Sequence, residues 1–294
     1  MTVHSAGLSG GPLSGACALR PAGWLSAPLA TDPADATRQA RVLLAAHHPA
    51  LAGPLLCLNA HYRTAVFAIG DPPAQILKRH ADLDAYNAEV VAYHLLSERA
   101  VLPDLLDLCD DSRTLVTGYL PQQADLSVPA VFDELLELVA RAHTAPATWP
   151  AEVTDLMQPY TLRTVLTGPA PEWIADAAAW RAVLELTADA HGPGHVPLGG
   201  FDLAPRHARR DTSGTMMIID GETMRLDWTG LPDVITLAYV AAEVSAPLTP
   251  RQIRRAYLQH TRDHGAQWSD AGLTRALTLW ARATGLHSLH GLAD

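Results

Sequence analysis

The hydrophobic period changes once along this chain, and that change limits the folds open to it. Between residues 55 and 120 the apolar residues come in short runs: LLCLN (55–59), TAVFAI (64–69), AQILKR (74–79), DLLDLCDD (104–111) and RTLVTGYL (113–120). Runs of this length, broken by turn signals such as Gly70-Asp71-Pro72-Pro73, read as strands. One helix interrupts them. ADLDAYNAEVVAYHLLSERA (81–100) spaces Leu83, Tyr86, Val90, Tyr93, His94 and Leu96 as a broad stripe that Pro103 closes. Ahead of the strands, DPADATRQARVLLAAHH (32–48) offers Asp32 as a cap, Pro33 at the first helical position and apolar residues at helical spacing. Beyond Pro121 the period becomes helical over 129–145, 172–190 and 250–264. The exception is a short hairpin, 206–210 and 215–220, turning at Asp211-Thr212-Ser213-Gly214. The layout is a small β lobe over residues 1–121, with an irregular lead-in over 1–30, followed by a mostly helical lobe over 122–294. The boundary falls at Gly118-Tyr119-Leu120-Pro121.

A chain of 294 residues has room for about two such units. Its net charge of −10 leaves no basic field for a phosphate backbone or an anionic bilayer, so nucleic acid and membrane surfaces are excluded as partners and small molecules favoured. Cysteine occurs only as Cys17, Cys57 and Cys109, without a C-x-x-C pair, which argues against a disulfide framework or a structural zinc and for a reducing cytoplasm. The first thirty residues lack a basic start and a sustained apolar run, and no run reaches the ~18 residues of a membrane helix. A soluble, unprocessed cytoplasmic protein is expected; oligomeric state is left open. His191 and His195 in HGPGH, and the adjacent His47 and His48, could pair on a metal. However, Gly-Pro-Gly is a turn and neighbouring helix side chains diverge, so these read as surface histidines.

Several familiar chemistries are absent. The chain has twenty arginines and one lysine, Lys78, which follows Leu77 rather than a glycine, so there is no G-x-x-x-x-G-K-[ST] loop. Neither H-E-x-x-H, G-x-S-x-G nor a strand-linked G-x-G-x-x-G occurs. A GC-rich genome explains why lysine is rare but not where the only one sits. Lys78 lies near the end of a strand, and Glu89 follows eleven positions on in the next helix. A phosphoryl-transfer site needs such a pair, a cation over the nucleotide phosphates and a helix carboxylate to hold it; a surface salt bridge would account for the same two residues. The remaining parts of such a site lie in GGFDLAPRHARRDTSGTMMIIDGE (199–222). Asp202 can take or orient a hydroxyl proton, while His207 and Asp220, at the two ends of a hairpin, can hold a metal. Asp227, in RLDW, is the alternative to Asp220, and strand-end turns would account for either carboxylate.

Here the chain resembles a family. Gly200-Phe201-Asp202-Leu203-Ala204-Pro205-Arg206-His207, then Ile219-Asp220-Gly221-Glu222, follows the H-G-D-L-x-P-x-N, hairpin, I-D-W-E pattern of the aminoglycoside phosphotransferase and choline kinase-like small-molecule kinases. The resemblance extends weakly from about residue 40 to 290. It takes in the TLVTGYLP connector and the Ala-Arg-Ala-His143 helix end. It implies an α+β, two-lobe protein-kinase-like fold: a small N-terminal antiparallel β lobe with a helix, then a larger mostly helical C-terminal lobe. It also implies an ATP-dependent transfer of the γ-phosphate to a hydroxyl of a small molecule. Asp202 would be the catalytic base, Asp220 the magnesium ligand, Lys78 and Glu89 the phosphate-side pair, with Tyr119 and Leu120 beside the nucleotide.

Three departures qualify what carries over. Gly200-Phe201 replaces His-Gly ahead of the base, which removes a bracing side chain. His207 replaces asparagine, and imidazole is a poorer partner than oxygen for hard Mg²⁺, so a second metal site should be weak or should favour Mn²⁺. No glycine lies between Gly53 and Gly70, so the phosphate-covering turn, Asn59–Thr64, is built from bulkier residues. These departures motivate a competing reading, a kinase-like protein that binds a nucleotide or a partner without efficient catalysis. Net charges of −3 on residues 1–121 and −7 on 122–294 favour a cationic acceptor such as an aminoglycoside, amino-alcohol or amino-sugar. Glu243 and Asp263 are acceptor-side candidates, though each reads more readily as a solvated helix residue.

Overall fold

A computed structural model of the chain describes residues 29–51, 53–96, 98–144, 149, 151–153, 161–224 and 229–293. Most of the lead-in, Cys17 and Asp227 lie outside the described residues.

Helix α1 (Pro33–His47) starts where local chemistry dictates: the Asp32 carboxylate accepts from the amides of Ala34 and Asp35, and Pro33 fills the first turn. It buries Ala36, Ala40, Leu43 and Leu44 against a five-stranded sheet. That sheet comprises β1 (Leu55–Ala60), β2 (Thr64–Gly70), β3 (Pro73–His80), β4 (Leu105–Cys109) and β5 (Thr114–Gly118) in the order β1-β2-β3-β5-β4, every pairing antiparallel. Side chains alternate across β3, so Leu77 enters the core beneath α1 while Ile76 and Lys78 point to the other face. Helix α2 (Leu83–Leu96) lies between β3 and β4. It ends earlier than the stripe over 81–100 implied, because Arg99 N–H turns back to Leu96 O and Ala100 takes a φ of 49°.

Beyond the large sheet the described residues form six helices, α3 (Pro129–His143), α4 (Leu162–Thr167), α5 (Ala177–His191), α6 (Leu231–Glu243), α7 (Pro250–Asp263) and α8 (Asp270–Thr284). A three-stranded sheet, β6 (Gln122–Gln123), β7 (Ala208–Arg210) and β8 (Met216–Ile218), is set among them. Helix α5 begins at Ala177 rather than at 172. Ala175 and Asp176 give their amides to Ala283 O at the end of α8, and the Asp176 carboxylate caps Ala178 and Ala179. Helices α4, α6 and α8 were not among the sequence expectations. Helix α6 hides its period because Leu231, Val234, Ile235, Leu237, Ala238, Val240 and Ala241 bury more than one face. The fold is α+β, with an antiparallel sheet and its helices first and a helical layer second.

Two histidine expectations fail. His48 is 1% exposed, with Nδ1 2.7 Å from Asp107 Oδ2 and Nε2 2.8 Å from Thr114 Oγ1, and it ties the end of α1 to β4 and β5. His195 is 5% exposed and its ring stacks on His191 at 4.4 Å. These are packed groups, not surface histidines; the Gly192 turn folds the HGPGH segment back onto α5 instead of out into solvent.

Candidate active site

The strand alternation that buries Leu77 turns Lys78 toward α2, where Glu89 is buried. Lys78 Nζ lies 2.8 Å from Glu89 Oε2, 2.5 Å from Asp220 Oδ1 and 3.0 Å from Glu222 Oε2. Burial alone would lower the lysine pKa, but Glu89, Asp220 and Glu222 outweigh it and hold the ammonium well above its ordinary value. Burial likewise pushes Glu89 up, and Lys78 and His80 more than reverse it, leaving the carboxyl well below the usual range. His80, two residues along the same face of β3, places Nε2 2.8 Å from Glu89 Oε2.

Asp220 follows β8 at a backbone turn. It has a φ of 75°, a left-handed conformation uncommon for a residue with a side chain, and such strain gathers where an exact side-chain direction matters. The turn over 221–223 packs against α2, and Thr64 Oγ1 of β2 donates to Glu222 Oε2 at 3.2 Å. Glu222 was not among the sequence candidates. The signal lay in the same Ile219-Asp220-Gly221-Glu222 run, two residues beyond Asp220.

Asp202 sits on the loop before β7. Its Oδ1 accepts from Ala204 N at 3.1 Å, and its Oδ2 lies 3.2 Å from His207 Nδ1. The hydrogen bond from His207 is the main reason its pKa is held down to about 2, so the group is a carboxylate at neutral pH. With the proton on Nδ1, His207 leaves Nε2 free as a ligand atom, 3.9 Å from Asp220 Oδ2. Asp202, His207 and Asp220 each offer a ligand atom within 4.8 Å of the others. Two carboxylates and an imidazole suit a divalent cation, and the imidazole widens the choice from magnesium toward manganese.

The bracing side chain missing at Gly200-Phe201 is replaced from below. Gly200 N donates to both Asp233 oxygens, at 2.9 and 3.1 Å, and Thr223 Oγ1 donates to Gly200 O at 2.6 Å. Asp233, on α6, is held by His143 Nε2 at 2.9 Å, and His143 Nδ1 lies 2.8 Å from the Tyr257 hydroxyl. The Phe201 ring stacks over His143 with centroids 6.4 Å apart. Asp233 escaped sequence reading because nothing local marks a carboxylate within an apolar helix as a partner of a loop amide.

Lys78, Glu89, His207, Asp220 and Glu222 line one cavity of about 630 Å³, and Asp202 lies beside it, against His207 and Arg206 of its wall. Leu58, Val66 and Ile76 of the large sheet line one side; His207, Arg209, Ile219 and Asp220 line the other, with Gly118, Tyr119 and Leu120 of the connector at the edge. Arg209 fixes the connector, its Nε donating to Leu120 O at 2.7 Å and its Nη2 to Pro121 O at 2.9 Å. Asn59 and Thr64, the ends of the glycine-free turn, also reach the cavity. The structure therefore brings Lys78, Glu89, Asp220 and His207 onto one cavity with Tyr119 and Leu120, and sets Asp202 beside it against His207 and Arg206. Glu243 and Asp263 are exposed on α6 and α7, and neither lines it.

No protein-family model matches the chain, and no curated protein does. Solved structures do. A macrolide 2'-phosphotransferase from Brachybacterium faecium is 19% identical, with 86% of this chain and 95% of that one covered and a TM-score of 0.51. A choline/ethanolamine kinase family protein from Mesorhizobium loti is also 19% identical, covering 88% and 91%, with a TM-score of 0.47. An ethanolamine kinase from Plasmodium vivax is 12% identical, covering 80% and 77%, at 0.48. The likeness to the macrolide enzyme shows that this chain has the fold of a small-molecule phosphotransferase. Among the described residues, no helix is long and apolar enough to cross a membrane.

Proposed function

We propose that the protein is an ATP-dependent phosphotransferase that moves the γ-phosphoryl group to a hydroxyl of a small polar molecule. Residues 1–121 would serve as the nucleotide-binding lobe and residues 122–294 as the catalytic and substrate lobe. The observation that carries this reading is the convergence of Lys78, Glu89, His207 and Asp220 on one cavity from elements far apart in sequence, with Asp202 against His207 and Arg206 of its wall. Phosphoryl transfer relies on position and charge rather than covalent chemistry, and this is the set of charges it requires.

Lys78, aimed by β3 and steadied by Glu89, binds the phosphates. Asp220 and His207 hold the divalent cation, which supplies positive charge to the phosphate oxygens when bound. Asp202, ionised and oriented by Ala204 N and His207, accepts the hydroxyl proton. The Gly118–Leu120 connector, clamped by Arg209, lines the cavity and would lie beside the nucleotide's base. The more acidic C-terminal half supports a cationic acceptor, an aminoglycoside or amino-alcohol, over an anionic one.

The test is thermal unfolding with ATP alone and with ATP plus Mg²⁺ or Mn²⁺, followed by a screen of hydroxyl-bearing metabolites and aminoglycosides for ATP loss. A metal-dependent rise in Tm and turnover of at least one acceptor are expected. No shift with any metal would end the proposal. A metal-independent shift without turnover would favour the competing reading of binding without catalysis, which the glycine-free turn at 59–64 supports.

A further inference from the structure

The cavity is rich in acid. Glu89, Asp220 and Glu222 line it and Asp202 sits beside it against Arg206, while the group transferred in the proposed reaction spreads negative charge over three oxygens. Cations must offset both. Lys78 is shared among three carboxylates, and Arg209 spends Nε and Nη2 on connector carbonyls. Arg206 differs. It lines the same cavity from the turn over 205–207, four residues after Asp202, with Nη2 3.8 Å from Asp202 Oδ2 and 68% of its side chain exposed. At that distance the contact is a loose ion pair, and most of the five guanidinium donors remain available to an incoming anion.

We propose that Arg206 is a catalytic residue that binds the transferring phosphoryl group of a nucleoside triphosphate and stabilises its charge in the transition state. The inference rests on the phosphotransferase reading above. In the step it serves, the acceptor oxygen forms a bond to the γ-phosphorus and the bond from that phosphorus to the β–γ bridging oxygen breaks. The electron pair leaves with the nucleoside diphosphate, and the hydroxyl proton passes to Asp202. Arg206 stands on the Asp202 side of the cavity, where the acceptor oxygen must lie, so its forked donors can reach the equatorial oxygens as they move from donor to acceptor. A guanidinium supplied in this way is among the larger contributions known in phosphoryl transfer. The charge is usable because it is not already committed to a tight ion pair.

The experiment measures binding of ADP with Mg²⁺ to the full chain by calorimetry, with and without aluminium fluoride, which mimics the phosphoryl group in flight. The native protein should bind at least about 100-fold tighter with the fluoride present. Arg206→Met should keep its ADP affinity within about twofold and lose at least about tenfold of that tightening, because only the transition-state contact is removed. Arg206→Lys, which keeps the charge but not the fork, should retain part of it. Full tightening in Arg206→Met, or an equal loss on ADP alone, would overturn the proposal. So would native protein that binds ADP with Mg²⁺ but gains nothing from the fluoride. Native protein that does not bind ADP with Mg²⁺ at all would overturn the phosphotransferase reading along with it.

Discussion

Lys78 Nζ donates to Asp220 Oδ1 across 2.5 Å, closing a contact between residues 142 positions apart. The same ammonium holds the buried Glu89, so it is both a candidate phosphate ligand and the counterion that makes this acidic cluster tolerable in the folded state. Lys78→Met should therefore cost about 3 kcal/mol of stability, since removing one partner strands a buried charge. Urea unfolding of Lys78→Met and of Lys78→Met/Glu89→Gln tests this: the double variant should recover part of the loss. A single variant as stable as the native protein would show that the cluster needs no counterion.

Asp202 is a carboxylate held in place by His207 and Ala204, which is the state a base requires. On an acceptor found by screening, Asp202→Asn should lower kcat by about 10²–10⁴-fold while leaving nucleotide affinity nearly unchanged. Steady-state kinetics with calorimetry separates the two effects.

His207 sets the metal preference if its free Nε2 takes part in binding the cation. Asparagine would offer an oxygen instead, the donor that hard magnesium prefers. His207→Asn should raise the ratio of Mg²⁺- to Mn²⁺-supported ATP affinity several-fold. Titrations with each metal would expose an unchanged ratio, which would place His207 outside the metal site.

Gly230, at a φ of 75°, begins α6 directly against the His143 ring, and a Cβ there would come within 2.8 Å of ring atoms. Gly230→Ala combines left-handed strain with a clash against the group that holds Asp233, and should cost about 2 kcal/mol or more. A fall in Tm of several degrees is expected. Because Asp233 braces Gly200, the substitution should also weaken turnover in the fraction that stays folded.

Stability should also depend on pH through His191. Trp268 Nε1 donates to His191 Nε2 at 2.9 Å, so that nitrogen must carry no proton. Burial first, then His195 and His143, hold its pKa well below the ordinary 6.5. The unfolded chain takes up a proton near that value and the folded chain does not. The contribution is thus complete above pH ~6.5 and is lost as pH falls below it, at up to about 1.4 kcal/mol per pH unit. Chemical unfolding from pH 7.5 to 5 should show a shallower decline for His191→Gln than for the native protein.

Local chemistry was legible in the sequence where one segment contains the whole reason for its structure. Asp32-Pro33 starts α1 on its own terms, the alternating run around Lys78 makes a strand, and Asp211-Thr212-Ser213-Gly214 turns a hairpin. The residues able to supply a cation, a base and metal ligands could be named for the same reason, because residue type and spacing are local properties. Helix α6 was not legible, since burial on more than one face removes the period that marks an amphipathic helix.

Only the tertiary structure decided which charges meet. One ammonium is shared by Glu89, Asp220 and Glu222; the amide of Gly200 rests on a carboxylate 33 positions away; and Arg206 keeps a loose contact where Lys78 and Arg209 keep tight ones. The sequence by itself determined the elements and the inventory of reactive groups, because backbone periodicity and side-chain chemistry act over a few residues. The partners of each group depend on how the chain returns through space, and electrostatic pairing follows distance in three dimensions rather than separation along the chain.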